Sequence, residues 1–463
     1  MMELKDKSVL VLGLGETGLS LARWLSAQGA RASVADSRSD PPGLEGLKRE
    51  LPGVPAHCGP FDDSLLQGVG LIAISPGVPL AEPLAQHAIA AGIPVVGDIE
   101  LFAQSLPQKS RPKIIAITGA NGKTTVTSMV GAMCRAAGLD TEVAGNISPA
   151  VLDALQKRGD KQPDVWVLEL SSFQLETTSS LHADAATVLN ISADHLDRYP
   201  DMDAYAAAKA RIFIGSKMRV LNRDNARSNA MAFAGSRCIK FGLDAPQSGE
   251  DWGVAKDGNE MWLVHGSRRV MNMKELQVAG MHNVANALAA LALCRAIDLP
   301  LEPLCEALRS FKGLPHRVEC IAEICGVSYY DDSKGTNVGA TEAALKGLGK
   351  PAVVILGGDG KGQDFTPLQE AVAQHARAAV LIGRDADKIE QSLHGCGKPV
   401  MHARDMKDAV KQAASLAQQG DAVLLSPACA SFDMFRNYVH RAEVFTEAVN
   451  ELSREAACCA NQA

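Results

Sequence analysis

No run of about 20 consecutive apolar residues occurs in the 463-residue sequence, so no membrane-spanning helix is expected. The opening Met1-Met2-Glu3-Leu4-Lys5-Asp6-Lys7 lacks the basic-then-apolar layout of a secretory signal, and a cytoplasmic protein is expected. The eleven cysteines contain no Cys-x-x-Cys pair, which speaks against a zinc site or a disulfide framework. Cys458 and Cys459 are merely adjacent, and most of the cysteines read as small buried apolar residues. Basic residues are not in excess. A net charge of -7 makes nucleic acid a poor partner, because a phosphate backbone wants a basic face. No internal repeat or low-complexity tract stands out.

What is present is the balance of a globular protein, with 46% hydrophobic and 21% charged residues. The length exceeds what one core supports and suggests three domains. Short apolar runs alternate with helix-period segments, the pattern of α/β units with mainly parallel sheets. Strands are expected at Val9–Leu12, Ala32–Ala35 and Leu71–Ile74, with a helix over Thr17–Gln28. Gln104 to Pro112 is polar, carries two prolines and reads as a linker. A second unit starts at Ile114–Ile117, has strands at Val165–Leu170 and Ala186–Ile191, and is closed by a helix over His282–Ile297. A boundary near Gly313-Leu314-Pro315 opens a third unit with strands at Ala352–Leu356, Ala379–Ile382 and Ala422–Leu425. The expected architecture is three α/β domains: 1–107 Rossmann-like, 108–313 P-loop ATPase-like and 314–463 Rossmann-like.

Gly119-Ala120-Asn121-Gly122-Lys123-Thr124-Thr125 follows a strand and opens a helix. Unpaired N–H groups at a helix start point at an anion, glycine permits close approach, lysine adds positive charge and a threonine hydroxyl can ligate Mg²⁺. The strict Walker pattern needs glycine where Ile117 stands, so this is a shortened variant of a phosphate loop. Glu169 ends an apolar strand, where a carboxylate is costly unless it meets a cation or a donor. Asn190 to Tyr199 ends another strand in polar groups, and His195 there lies where parallel sheets bind ligands. Gly13-Leu14-Gly15-Glu16-Thr17-Gly18, with Asp36 ending the next strand, reads alone as a nicotinamide dinucleotide site. An oxidoreductase with an ATP-binding appendage is therefore the rival from another class. A non-catalytic ATP-driven switch is a further one.

The phosphate loop, Glu169 and Asn190–Tyr199 resemble the Mur ligase family. So do Gly280-Met281-His282-Asn283-Val284-Ala285-Asn286-Ala287, Gly313-Leu314-Pro315-His316-Arg317 and Asp331-Asp332-Ser333-Lys334-Gly335-Thr336-Asn337. The likeness covers the whole chain; folylpolyglutamate synthase resembles only its central and third domains. Leu168 to Glu176, Leu356 to Lys361 and Leu425 to Phe435 are most like the member that adds D-glutamate to UDP-N-acetylmuramoyl-L-alanine. Departures from the family pattern are Ala120 for Thr or Ser, Gly335 for Ala, and Ala442 where glycine is common.

The resemblance implies an ATP-dependent ligase of peptidoglycan precursor synthesis, expected as a monomer, which activates a carboxylate as an acyl phosphate. It implies ATP at Gly119, Asn121, Gly122, Lys123, Thr124 and Thr125, with Asn283 at the adenine and Arg317 and Asp332 near the phosphates and ribose. One Mg²⁺ is implied at Thr124 and Glu169, and a second at His195 and a carbamylated Lys209. Read without the resemblance, Lys209 is an exposed helical lysine. Lys123, His195 and Lys209 are the implied catalytic residues. Glu16, Thr17, Asp36, Ser37, Arg38 and Ser75 are implied to hold the UDP part, and Asn146 and Gln174 the sugar or its lactyl group. Lys361, Thr336, Ser431 and Tyr438 are implied to hold D-glutamate, with Tyr438 standing where the family often has phenylalanine.

Overall fold

The computed structural model describes residues 3–107, 110–195, 197–233 and 235–460, and for 457–460 the backbone alone. Met1 and Met2, Gln108 and Lys109 of the expected linker, Leu196, and the side chains of Cys458 and Cys459 lie outside the described residues.

Continuous aliphatic runs make strands that are buried on both faces, as parallel sheets require. The first sheet comprises β1 (Ser8–Leu12), β2 (Arg31–Asp36), β3 (Ala56–Cys58), β4 (Leu71–Ile74) and β5 (Val95–Val96). All pairings are parallel in the order β3-β2-β1-β4-β5. The strand order reverses at β1 and β4, which opens a crevice beyond their carboxyl ends. Gly13 (φ 88°) turns the chain there, and a Cβ on Gly18 would sit 1.8 Å from the Gly13 carbonyl oxygen. The Glu16–Ala27 helix can therefore pack this close to β1 only with glycine at 18.

The second sheet comprises β6 (Lys113–Thr118), β7 (Thr141–Gly145), β8 (Val165–Glu169), β9 (Ala185–Val188), β10 (Met218–Asn222), β11 (Cys238–Phe241), β12 (Trp252–Asp257), β13 (Glu260–His265) and β14 (Arg268–Asn272). Its order is β14-β13-β12-β11-β10-β9-β6-β8-β7, parallel up to β12 and antiparallel beyond. The antiparallel extension departs from the expected parallel unit. The Met281–Ala296 helix does not close the unit as expected; a further helix, Leu301–Ser310, follows it, and both pack on the Lys123–Ala136 helix.

The third sheet comprises β15 (Glu319–Ile324), β16 (Val327–Asp331), β17 (Ala352–Gly357), β18 (Ala376–Ile382), β19 (Val400–His402) and β20 (Ala422–Leu425), in the order β15-β16-β20-β17-β18-β19. Only β15 runs antiparallel, as an edge. Three mixed α/β units are thus present, as the sequence pattern implies. One apolar cluster runs from the first unit into the second, with Phe102 edge-on to Trp166 at 4.9 Å between ring centres. Among the described residues no helix is long and apolar enough to cross a membrane.

Candidate active site

Ile114 to Ile117 are fully buried in β6, an interior strand of the second sheet, so the chain turns only after Thr118. Ile117 is part of this core, which is why the loop is shorter than a Walker loop. Asn190 shapes the turn. Its Oδ1 accepts the Asn121 N–H at 2.8 Å, its Nδ2 donates to the Asn121 carbonyl at 3.0 Å, and its own carbonyl accepts the Ala120 N–H at 2.9 Å. Gly122 (φ 83°) precedes the Lys123–Ala136 helix and offers no side-chain cap, which leaves the first helical N–H groups directed at the cavity. A Cβ on Gly122 would lie 2.6 Å from Asn286 Oδ1. Lys123 folds back on this loop, donating to the carbonyls of Gly119 (2.9 Å) and Ala120 (3.0 Å).

Four potential ligands or cations converge beside the loop. Glu169, at the end of β8, is 2% exposed; its Oε1 accepts from Asn146 Nδ2 at 3.0 Å and its Oε2 has no hydrogen-bond partner. Lys209 is likewise 2% exposed, which overturns the surface reading of its helix. Its Nζ donates to the Gly119 carbonyl at 3.0 Å and to Thr118 Oγ1 at 3.3 Å, above the Tyr205 ring. Burial, and then repulsion from Lys123, pushes the Lys209 amine well below the ordinary lysine range. Burial also lowers Lys123, and it lowers His195, whose ring lies edge-on to Phe173 with Nε2 3.6 Å from Asp194 Oδ2. Thr124 Oγ1 accepts from Arg317 Nη2 at 2.7 Å, a bond that joins the second unit to the third.

A cavity of about 870 Å³ opens between these two units and is lined by Asn121, Gly122, Thr125, Asn283, Arg317 and Asp332. Asp332 accepts from Ser426 Oγ at 2.6 Å, and burial raises its carboxyl to about 7. A Cβ on Gly335 would lie 2.5 Å from Asp332 Oδ2, so glycine rather than the family's alanine fits here. Ala120 and Ala442, the other departures, are both buried. Lys334 also lines the cavity, and sequence reasoning did not single it out. Its Nζ sits 3.8 Å above the Tyr438 ring, and burial, reinforced by Arg317, lowers it to about 8.

In the first unit both Asp36 oxygens are taken. Oδ2 accepts from the Leu14 N–H (2.7 Å) and Arg38 Nη2 (2.7 Å); Oδ1 accepts from Arg38 Nε (2.8 Å) and the Arg38 N–H (2.9 Å). The Arg38 hydrogen bonds hold that carboxyl near 2. Ser75 lies buried against the Gly13 turn, Thr17 is half-buried, and Ser37 is exposed. Glu16 accepts from Ser148 Oγ at 3.4 Å across the seam to the second unit. Gln174 stands apart from this set. Its Oε1 accepts the Ser171 N–H at 3.1 Å and its Nε2 donates to the buried Asp98 Oδ2 at 2.9 Å, so both ends of the amide are engaged inside the seam.

In the third unit Lys361 (φ 51°) stands exposed, Thr336 and Tyr438 are half-buried, and Ser431 is buried. Gln363, which no motif marked, holds their loops together. Its Oε1 accepts the Val338 N–H at 3.0 Å, and its Nε2 donates to the carbonyls of Gly360 (3.0 Å) and Ala428 (2.9 Å).

Comparison with known proteins matches the N-terminal domain of MurD-like Mur ligases at residues 7–97, the Mur ligase middle domain at 117–294 and the Mur ligase glutamate ligase domain at 316–429. The chain is 57% identical to the UDP-N-acetylmuramoylalanine–D-glutamate ligase of Nitrosomonas europaea, over 98% of each chain. It is 59% identical to the protein of the same name from Methylobacillus flagellatus, over 98% of this chain and 99% of that one. Among solved structures, the UDP-N-acetylmuramate-alanine ligase of Thermotoga maritima superposes with a TM-score of 0.61 at 20% identity, covering 96% of this chain and 99% of that one. A pseudomurein peptide ligase type C from Methanothermus fervidus gives 0.60 at 18% identity, covering 96% and 100%. These two likenesses concern the fold.

Proposed function

This chain belongs to the Mur ligase family, and we propose that it joins D-glutamate to UDP-N-acetylmuramoyl-L-alanine at the expense of ATP. It is an ATP-dependent amide ligase. In our reading residues 1–107 hold the UDP-substrate, 108–313 hold ATP and 314–463 bring the amino acid, in a monomer working in the cytoplasm.

The observation that carries the reading is the meeting of the second and third units at the phosphate loop. Thr124 receives Arg317 from the third unit, and the first unit is joined to the second nearby, where Ser148 donates to Glu16. Two anions, the substrate carboxylate and the γ-phosphate, must meet there despite their repulsion. Lys123, Lys334 and Arg317 supply fixed positive charge in a poorly hydrated cleft, where it counts for more than in water. The carboxylate oxygen attacks phosphorus and ADP departs. The unprotonated amine of D-glutamate then attacks the acyl carbon; the acyl C–O bond breaks, phosphate leaves with the bridging oxygen, and the nitrogen gives up a proton to become the amide.

The residues present fit a divalent cation, because Glu169 Oε2 is a buried carboxylate oxygen without a donor. Thr124 and Glu169 would hold one Mg²⁺, and His195 with a carbamylated Lys209 a second. Bound there, the metal would draw charge from the phosphate oxygens. Lys209 is prepared for carbamylation by its burial: an unprotonated amine attacks CO₂, loses a proton and leaves oxygens able to face a cation. His195, kept neutral by burial, keeps a ring lone pair available.

The first-unit fingerprint does not support a dehydrogenase. A nicotinamide site uses the acid at the end of the second strand to hold a ribose hydroxyl, whereas Asp36 is consumed by Arg38 and Leu14. In this reading the exposed Arg38 and the Gly13–Gly15 turn would meet a pyrophosphate beside a sugar, which fits a UDP-sugar. Lys361, Thr336, Ser431 and Tyr438 would receive D-glutamate. Phosphate release should require ATP, UDP-N-acetylmuramoyl-L-alanine and D-glutamate together. Equal turnover with L-glutamate, or tight NAD binding without UDP-sugar binding, would sink the proposal.

A further inference from the structure

Asn121 sits in the phosphate loop, where its side chain would ordinarily be assigned to the nucleotide. Instead it faces Asn337 of the third unit in a reciprocal amide pair. Asn337 Nδ2 donates to Asn121 Oδ1 at 3.0 Å, and Asn121 Nδ2 donates to Asn337 Oδ1 at 3.1 Å. Asn121 Nδ2 also reaches Ser192 Oγ at 3.3 Å, and Asn337 Nδ2 reaches Asp194 Oδ2 at 3.5 Å. Asn337 is 4% exposed and Asn121 half-buried, so the pair is shielded from competing water on the Asn337 side. The approach is close: a Cβ on Gly339 would lie 3.2 Å from Ser192 Oγ and 3.4 Å from Asn121 Nδ2.

Asn337 leads directly into the amino-acid side. Its Oδ1 caps the Val338–Gly347 helix by accepting the Ala340 N–H at 2.9 Å, and Thr336 precedes it in the chain. The next N–H, from Val338, goes to Gln363, whose amide holds the carbonyls of Gly360 beside Lys361 and of Ala428 near Ser431. Hydrogen bonds and short stretches of chain therefore link the phosphate loop to the neighbourhood of Thr336, Lys361 and Ser431.

We propose that the Asn121–Asn337 pair is an interdomain clasp that sets the distance between the transferred phosphate and the incoming amine, making both asparagines positioning residues rather than nucleotide ligands. The proposal rests on the reading of the third unit as the amino-acid domain. The clasp forms only when the second and third units are closed, so it stabilises the closed arrangement without touching the UDP-substrate. Its backbone role is separate, since the Asn121 N–H and carbonyl are both bound to Asn190.

The test is a double-mutant cycle on the full chain with Asn121→Ala, Asn337→Ser and the double variant. Serine retains a helix cap while removing the amide. Each single variant should lower kcat/KM for D-glutamate by about thirty-fold, the factor for two neutral hydrogen bonds, and the double variant should be no worse than either. Affinity for ADP and for the UDP-substrate, measured by calorimetry, should change less than about three-fold, within the error of one lost weak contact. Multiplicative losses in the double variant would overturn the clasp, as would an equal loss of ADP affinity in Asn121→Ala. Wild-type protein that releases no phosphate with D-glutamate would instead overturn the functional reading and leave the cycle to be scored by small-angle scattering. In that measurement the Mg²⁺–ADP-bound wild type should be more compact than either variant, and equal dimensions would again refute the clasp.

Discussion

Lys209 illustrates how completely its surroundings decide what a lysine can do. Enclosed among Tyr205, Thr118 and the Gly119 carbonyl, its amine loses hydration and with it much of its affinity for a proton. Lys209→Ala should lose most activity and regain part of it with added short carboxylates, which stand in for carbamate oxygens. Full activity in the unsupplemented variant would remove Lys209 from the metal site. Asp98 is the opposite case, an acid that burial raises from 3.8 to about 6. A carboxyl that holds its proton more tightly when folded loses stability as pH climbs from about 4 through 6, and the full cost persists above that. Asp98→Asn, which can still accept from Gln174, should therefore raise stability at pH 7.5 by about 1–2 kcal/mol and give no gain near pH 4. Thermal unfolding at the two pH values distinguishes this from a pH-independent effect.

Among the elements, the Asp98–Ser105 helix does more than end the first unit. Glu100, 3% exposed, accepts the N–H groups of Ser179 (2.7 Å) and Ser180 (3.0 Å) and the Ser180 hydroxyl (2.7 Å). The adjoining Gly97 has Thr177 Oγ1 only 2.3 Å from where a Cβ would be. Glu100→Ala should cost about 3 kcal/mol, since a charged acceptor with several buried donors is removed. It should also raise KM for the UDP-substrate more than for ATP, as read by urea unfolding and steady-state kinetics. The β12–β14 extension and the β15–β16 hairpin were legible only in their turns. Gly258-Asn259 and Gly266-Ser267 each form a two-residue loop led by glycine at positive φ, and Cys325-Gly326 does the same with Cys325 at φ 50°. The flanking strands are half-exposed and carry Lys256, Asp257, Glu260, Arg268 and Arg269, so their only apolar run is the short Met261–Val264.

Across the whole molecule, the cavity proposed for the nucleotide is lined by two units at once, and so binding there should couple their stabilities. Mg²⁺–ADP at about 100 times its Kd should add about 2.7 kcal/mol to unfolding of wild-type protein. Arg317→Ala should gain much less at the same concentration, because Arg317 contributes from the third unit to a loop of the second. Equal gains in a calorimetric scan would place Arg317 outside the nucleotide site.

The order of apolar runs and glycine turns was enough to determine three α/β units. It also placed the phosphate loop between β6 and its helix, and Glu169 at a strand end. Those are local consequences of residue type: aliphatic runs make buried strands, and an uncapped helix start after glycine makes an anion site. Contacts between distant residues were decided only by the tertiary structure. Burial of Lys209, the capture of Asp36 by the Leu14 N–H, the withdrawal of Gln174 into the Asp98 seam and the pairing of Asn121 with Asn337 all join groups far apart in the chain or depend on what surrounds them. Lys334 and Gln363 were missed for the same reason, since their partners are set by packing rather than spacing. The phosphate loop could be found by reading along the chain, but what it is held against depends on how the three units close.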